Sequence, residues 1–229
     1  MYNSHEMKEK SFRYLDLITA FFVAALIISS IADTKIISLG WLSFGGGTFL
    51  FPLTYIFGDI LTEVYGFRRA RRVIWIGFSG SILMAFTFFV VGLAPAAPDW
   101  PYQEDFMHIL GLTPRIVAAS LVAYLVGEFI NSFILAKLKV ITSGKYLWTR
   151  TISSTLVGQL IDTTIFMLIA FYGILPMSLL ISVIITGYLL KVATEILFTP
   201  FTYLIVNKLK KAENEDFYDT KTTFTPISI

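Results

Sequence analysis

FPLTYIFGDILTEVYGFRRARR, residues Phe51 to Arg72, begins as an apolar run and ends in four arginines packed into five positions. Inside the run stand Asp59 and Glu63, four residues apart, on one face of the segment if it is helical. Two carboxylates in an apolar helix capped by Arg68, Arg69, Arg71 and Arg72 pose the question that the rest of the chain has to answer.

Composition sets the class. The 229 residues are 55% hydrophobic, 16% aromatic and 15% charged, with a mean hydropathy of +0.72. A soluble domain carries about a quarter charged residues, and so apolar a chain cannot hide its surface in one core. The reading is an all-α integral membrane protein of several spans. The sequence has no cysteine, which removes disulfides, thiolate catalysis and Cys-ligated metals. Its two histidines, His5 and His108, lie in polar segments, so no metal site is expected. No cofactor is called for, no nucleotide-binding motif is present, and no nucleic-acid partner is expected.

Six stretches approach the ~20 residues that cross a bilayer: Leu15–Ala32, Thr48–Gly66, Val73–Ala94, Ile116–Ala136, Thr151–Tyr172 and Met177–Val206. The first is too long, and lacks the cleavage signal, for a signal peptide. Around this 15–210 six-helix transmembrane domain lie a cytoplasmic N-terminal tail, 1–14, and a polar C-terminal tail, 211–229, expected to be disordered. Basic residues fall in alternate loops. Lys8, Lys10 and Arg13 precede the first span, and the four arginines follow the second. Lys137, Lys139, Lys145 and Arg150 follow the fourth; Lys208, Lys210 and Lys211 follow the sixth. The opposite loops hold only Lys35 and Arg115. Positive-inside logic places both termini in the cytoplasm. The arginine knot is then a topological anchor that also meets membrane lipid headgroups. Between spans, Ile36–Gly47 predicts a short hairpin. Trp100, Tyr102, Phe106 and Leu110 predict a short interfacial segment.

Charges inside the spans are the informative ones. A carboxylate at mid-bilayer costs about 2.5–3.5 kcal/mol on the insertion scale, so it faces protein or a watered cavity. Counted at ~1.5 Å per residue from the basic anchors, Asp59 and Glu128 lie about 13 Å deep and Glu63 about 7 Å. Asp162 lies about 18 Å and Glu195 about 20 Å deep, with Lys191 one turn further. Helical spacing groups polar residues into four stripes: Pro52, Tyr55, Asp59 and Glu63; Ser120, Tyr124, Glu128 and Asn131; Thr155, Gln159, Asp162 and Thr163; Tyr188, Lys191, Glu195 and Thr202. Stripes of Ser, Thr and Asn alone would read as helix-packing glue. Acids on all four favour a shared solute site instead. Lys191 and Glu195, at i and i+4, either join that site or neutralise each other. Pro52 inside the second span suggests an interrupted or kinked helix. Gly58–Asp59 and Gly158–Gln159 with Asp162 hint at a 3+3 inverted repeat.

The run Phe51–Arg72 closely resembles the signature of the queuosine precursor transporter family, also grouped with vitamin-uptake transporters. GEFINSFILAKLKVITSGKYLWTRTISSTLVGQLIDTTIF (Gly127–Phe166) and KVATEILFTPF (Lys191–Phe201) match its pattern in the same order. The family pattern has an amide or small polar residue near position 128, where this chain has Glu128. The resemblance implies import of 7-cyano-7-deazaguanine and 7-aminomethyl-7-deazaguanine across the bacterial inner membrane, with no enzymatic step. Such a ring presents N1–H and N2–H side by side, which one carboxylate accepts as a bidentate pair. Asp59, Glu63, Tyr55, Glu128, Asn131, Gln159, Asp162, Lys191 and Glu195 are the expected substrate contacts. A homodimer suits the small size.

A second reading is the substrate-binding subunit of an energy-coupling-factor transporter. It would need a coupling protein, docked on small residues such as Ala20, Ala24 and Ala25. Intramembrane proteolysis is disfavoured. IFGD (Ile56–Asp59) lacks the first glycine of the aspartyl motif, and GFSG (Gly77–Gly80) has no membrane histidine to serve it.

Overall fold

A computed structural model describes residues 12–32, 34–39, 42–111, 114–220 and 222–225. His5, Lys8, Lys10 and Trp41 lie outside them. Helix α1 runs Leu15–Ala32, the bounds expected from its apolar run. Strands β1 (Ile36–Leu39) and β2 (Leu42–Gly45) pair antiparallel as the expected hairpin, Ile36 opposite Gly45 and Leu39 opposite Leu42. A 3₁₀ turn over Gly46–Leu50 leads into α2 (Phe51–Tyr65). Then come α3 (Phe67–Leu93), the short α4 (Gln103–Leu110) and α5 (Pro114–Ile141). The last helices are α6 (Leu147–Phe171) and α7 (Met177–Glu213).

Five of these helices, α1, α3, α5, α6 and α7, are long and apolar enough to cross a membrane. Leu83, Phe86, Leu93, Leu197 and Phe201 are among the many large apolar side chains they expose. Surfaces of that kind need a hydrocarbon solvent, and this is a helical, multi-pass membrane protein. The second expected span differs from prediction. Pro52 does not kink a longer helix but lies in the first turn of α2, where its missing N–H costs nothing. The residues before it form the 3₁₀ turn, which leaves α2 only 15 residues long.

Short as it is, α2 is the axis of the bundle. Nine of its residues, Ile56 and Gly58–Tyr65, are buried. Ile56, Ile60, Leu61 and Val64 pack with Ile18 and Phe22 of α1 and with Val206 of α7. Gly66, at φ 86°, closes α2 with its N–H on the Thr62 carbonyl, and α3 begins at the next residue. The four arginines therefore form the first turns of α3 rather than a loop. The tightest crossing is α5 on α6. A Cβ on Gly127 would stand 2.7 Å from the Asp162 Cβ, and one on Gly158 would stand 2.9 Å from the Asn131 Cβ. Two glycines let the backbones approach, as small residues do between membrane helices. Gly77 and Gly80 of GFSG are packing glycines too, against Tyr124 and Leu26 and against Ile27 and Val23. On α1, Ala20 and Ala24 face outward and Ala25 inward.

Hydrogen bonds fix the direction of each helix. The Arg13 and Tyr14 amides, at the start of α1, donate to Glu213 at the end of α7 (3.1 and 2.8 Å). Tyr65, ending α2, donates its hydroxyl to the same carboxylate at 2.9 Å. The end of α5 and the start of α6 join them through Lys139 and Arg150, described below. One end of the bundle thus gathers the starts of α1, α3 and α6 and the ends of α2, α5 and α7. It is also the basic end.

The described part of the C-terminal tail is not the disordered segment its polarity suggests. After Asn214 closes α7 in the left-handed conformation, residues 215–220 and 222–225 cross this basic end. The Phe217 amide donates to the Val64 carbonyl at 3.4 Å and the Phe67 amide to Asp219 at 3.0 Å. Phe224 packs on Phe67 and Phe133 at ring-centroid distances of 5.0 and 5.2 Å. Phe217, Tyr218 and Phe224, with Asp216 and Asp219, give the segment partners that a true linker lacks.

Candidate functional site

Tyr55, Asp59 and Glu63 follow one another on α2 at intervals of one turn, about 6 Å each. Asp59 and Glu63 meet ionisable groups from other helices, and Tyr55 packs on Phe51, whose ring lies under the Lys191 ammonium, so the interior holds three polar tiers.

The tier at the basic end is built on Glu63, which is fully buried. Arg150 of α6 donates through Nη2 to Glu63 Oε1 at 2.7 Å and through Nε to Oε2 at 3.3 Å. Lys210 of α7 donates to Oε1 at 2.7 Å. Lys139 of α5 stands 3.6 Å from the same oxygen and donates to the Glu63 carbonyl at 2.5 Å. Arg150 also donates to the Lys145 carbonyl and, at 3.2 Å, to the Thr142 hydroxyl. The tail supplies a second acid: Asp216 accepts from Lys139 at 2.5 Å and pairs with Lys210 at 2.9 Å. Partial burial alone would raise the Asp216 carboxyl. The two ammonium groups outweigh it and hold the carboxyl below its ordinary range. Burial, with the Asp216 charge beside it, pushes the Tyr218 hydroxyl up.

Glu63, expected among the substrate contacts, thus has both carboxylate oxygens engaged by cations. Those cations were expected to be topological anchors. Lys139 and Arg150 are instead buried, at 1% and 0% exposure. Helical spacing carries the signal: Lys139 falls on the face of Ser132 and Ala136, Arg150 on that of Ser154 and Gly158, all buried. The four arginines divide two and two. Arg68 and Arg72 are exposed. Arg69 donates to the Tyr65 carbonyl at 2.9 Å and lies over the Phe12 ring at 4.4 Å. Arg71 is buried and donates to the Thr223 and Thr225 carbonyls at 3.2 and 2.5 Å.

The middle tier has no such neutralisation. Asp59 and Glu195 are 1% and 2% exposed, and their carboxyl groups are neighbours. Glu128 of α5 adds its charge from the side. Gly58 makes this possible, because a Cβ there would stand 2.9 Å from Glu128 Oε1. Thr62 donates to Ser132 at 3.1 Å, tying α2 to α5 just below. Asp59 Oδ2, Asn131 Oδ1 and Glu195 Oε1 are buried with no hydrogen-bond partner among the described residues. Unpaired buried acceptors cost about 1–3 kcal/mol each, and more when charged.

The outer tier is neutral. Lys191 was expected either to join the solute site or to pair with Glu195 along α7. It reaches across to α6 instead and donates to Asp162 at 2.7 Å and to Thr163 at 3.3 Å. That leaves Glu195 to face Asp59. The Lys191 ammonium lies over the Phe51 ring at 5.5 Å, and Phe51 packs against Tyr55 with centroids 5.9 Å apart. Gln159, half-buried, is adjacent to the Gly158 crossing. Of the expected contacts, the structure brings Asp59, Glu128 and Glu195 together. It sets Asp162 and Lys191 in a separate ion pair and Glu63 in a cation cage.

A helical membrane bundle with polar tiers through its interior is the architecture of a small-solute transporter. Residues 45–205 match the family described as "Putative vitamin uptake transporter", and the chain belongs to that family, whose members here are queuosine precursor transporters. It is therefore a transporter and not an enzyme. A "Probable queuosine precursor transporter" of Bacillus subtilis (strain 168) is 31% identical over 183 residues, covering 78% of this chain and 79% of the relative. A protein of the same description from Haemophilus influenzae is 26% identical over 126 residues, covering 55% of this chain and 51% of its own length. The "Queuosine precursor transporter" of Escherichia coli (strain K12) is 26% identical over 129 residues, with 55% and 54% covered. This chain thus matches about half the length of the last two. No solved structure matches.

Proposed function

We propose that the protein imports 7-deazaguanine precursors of queuosine across the bacterial inner membrane, and that its substrate site is the middle tier. The observation that carries this is the set of three buried acceptors, Asp59 Oδ2, Asn131 Oδ1 and Glu195 Oε1, that lack a hydrogen-bond partner among the described residues. A guanine-like edge supplies the N–H donors such acceptors want, two of them in parallel to one carboxylate. Glu128 and Asn131 line the same tier. Tyr55 and Gln159 border it on the outer side, where Lys191–Asp162 closes the site. The cyano and aminomethyl forms share the ring edge that is read.

The same geometry supports a reading of the membrane orientation. The start of α1 and the end of α7 share the basic end, so the chain crosses an even number of times. The 3₁₀ turn and α2 together rise about 32 Å, enough for the sixth crossing. Basic residues concentrated at that end favour a cytoplasmic placement of both termini. The two halves, α1–α3 and α5–α7, then run in opposite senses, as in a 3+3 inverted repeat.

The test is uptake of labelled 7-cyano- and 7-aminomethyl-7-deazaguanine into liposomes holding the purified protein alone. Saturable uptake by the wild type, lost in Asp59→Asn protein that still inserts and folds, is the expected result. Unimpaired uptake by Asp59→Asn would remove the proposed site, and no uptake of either base would remove the substrate class.

A further inference from the structure

We propose that the segment after α7, residues 214–220 and 222–225, forms a latch that holds the basic end of the bundle shut, with Asp216 as the residue that positions its lock. A solute leaving the middle tier toward this end meets the Glu63 cage first. There one carboxylate of α2 is held by cations from α5, α6 and α7, so opening must part at least one of those contacts. Two of the three cations, Lys139 and Lys210, are also held by Asp216. The latch thus fixes the same ammonium groups that fix the lock.

Its fit is built into the helices. The two helix joints at this end, α2–α3 and α5–α6, contain Gly66 and Gly144, both at positive φ (86° and 75°). A Cβ on Gly66 would collide with the Phe217 ring, and one on Gly144 with the Tyr218 hydroxyl. Neighbouring residues of one segment therefore plug both joints. Lys139 donates to the Phe217 carbonyl at 2.7 Å and lies over the Tyr218 ring at 4.6 Å. Asp219 holds the first amide of α3, and Arg71 holds the strand beyond it. The segment therefore ties α2 and α3 to α5 and the α5–α6 joint, across the line along which the two halves would part. That parting serves the transport reading above, but the latch is measurable without any substrate.

The sequence contains no cysteine, so a single reporter can be placed without background. Ser132→Cys sits just above the cage at a position 1% exposed, and Ala119→Cys sits toward the opposite end of α5 at 0% exposed. In membranes, a small thiol reagent is expected to label Ser132→Cys at least about tenfold faster when residues 214–229 are deleted. Asp216→Asn and Phe217→Ala should each give a several-fold rise, and Asp216→Glu should restore slow labelling. Ala119→Cys should stay slow throughout. Unchanged labelling of Ser132→Cys in the deletion and in both substitutions overturns the latch. An equal rise at both reporters overturns it too, by showing general loosening. Failure of deazaguanine uptake would sink the substrate assignment and leave this result standing.

Discussion

Asp59 and Glu63 stand one turn apart on the same helix, equally buried, yet they keep opposite company. Glu63 is surrounded by three cations, and all its strong acceptors are spent. Asp59 stands beside two further carboxyl groups, Glu195 and Glu128, with no ion pair among the described residues. A buried charge with good partners is a finished piece of structure, and removing one partner costs about 3–5 kcal/mol. A buried charge without partners persists only where something outside the chain completes it. The difference separates a part that holds the helices together from a part that waits for a ligand. Depth in the membrane alone does not make that distinction.

The widest test of the comparison is Arg150→Ala. It strips the bidentate partner from Glu63, and we expect about 3–5 kcal/mol of destabilisation, read as a fall in melting temperature or in folded yield. Glu63→Gln should also destabilise, since it leaves Arg150, Lys139 and Lys210 facing one another. The Glu63→Gln, Arg150→Gln pair should recover part of the loss, because neither partner is then charged. Asp59→Asn should do the reverse. It relieves repulsion against Glu195 and Glu128, so stability should hold within about 1 kcal/mol. Uptake should nevertheless fall by about a hundredfold or more, the equivalent of two charge-assisted hydrogen bonds at ~1.5 kcal/mol each. If the two sites exchanged these phenotypes, the comparison would be reversed.

Much of the architecture was legible in the residues. The bounds of α1 coincide with its apolar run, and the glycine-rich stretch before α2 forms its hairpin. The interior acids stood out because no lipid-facing position tolerates them. Which acid meets which cation was not legible. Glu63 draws its partners from positions 139, 150 and 210, and periodicity gives the face of each helix without the register between helices. A lysine at the end of a span also reads the same whether it meets headgroups or folds under the bundle. Lys139 and Arg150 do the latter. The tail misled for a similar reason, since its partners are helix ends far away in sequence. Lys191 shows the limit within one helix: i, i+4 spacing offers Glu195, but Asp162 on α6 lies within reach at 2.7 Å.

Two glycines sharpen the contrast at smaller amplitude. Gly58→Ala places its methyl against the flexible end of Glu128, which can swing aside. Helix propensity gains up to about 1 kcal/mol, so the protein should be as stable as the wild type or slightly more so. Uptake affinity should drop several-fold, because Glu128 no longer stands where the middle tier needs it. Gly127→Ala places its methyl against the Asp162 Cβ and within 3.3 Å of the Gly158 carbonyl. Neither can move without the helix, and we expect about 1–3 kcal/mol of destabilisation. Thermal melts and uptake curves on the same two proteins separate a displaced ligand group from a displaced helix. Equal loss of stability in both would break the distinction.

The smallest expected effect is a pH response of the latch. Asp216 faces Lys139 from α5, Lys210 from α7, Glu63 from α2 and its own neighbour Tyr218. Its carboxyl is held below the ordinary value of 3.8. A folded-state value depressed in this way means that the fold favours the ionised form. The stabilisation is therefore complete above the ordinary value and is lost only as pH falls through the lower, folded one. Between about pH 8 and about pH 5 the segment should stay docked. The Phe217 amide, which donates to the Val64 carbonyl, should keep constant protection from hydrogen exchange once the intrinsic rate is corrected for pH. Protection should begin to fail only below the ordinary carboxyl range. Release already near neutral pH would show that a different group governs the latch, and would move the lock away from Asp216.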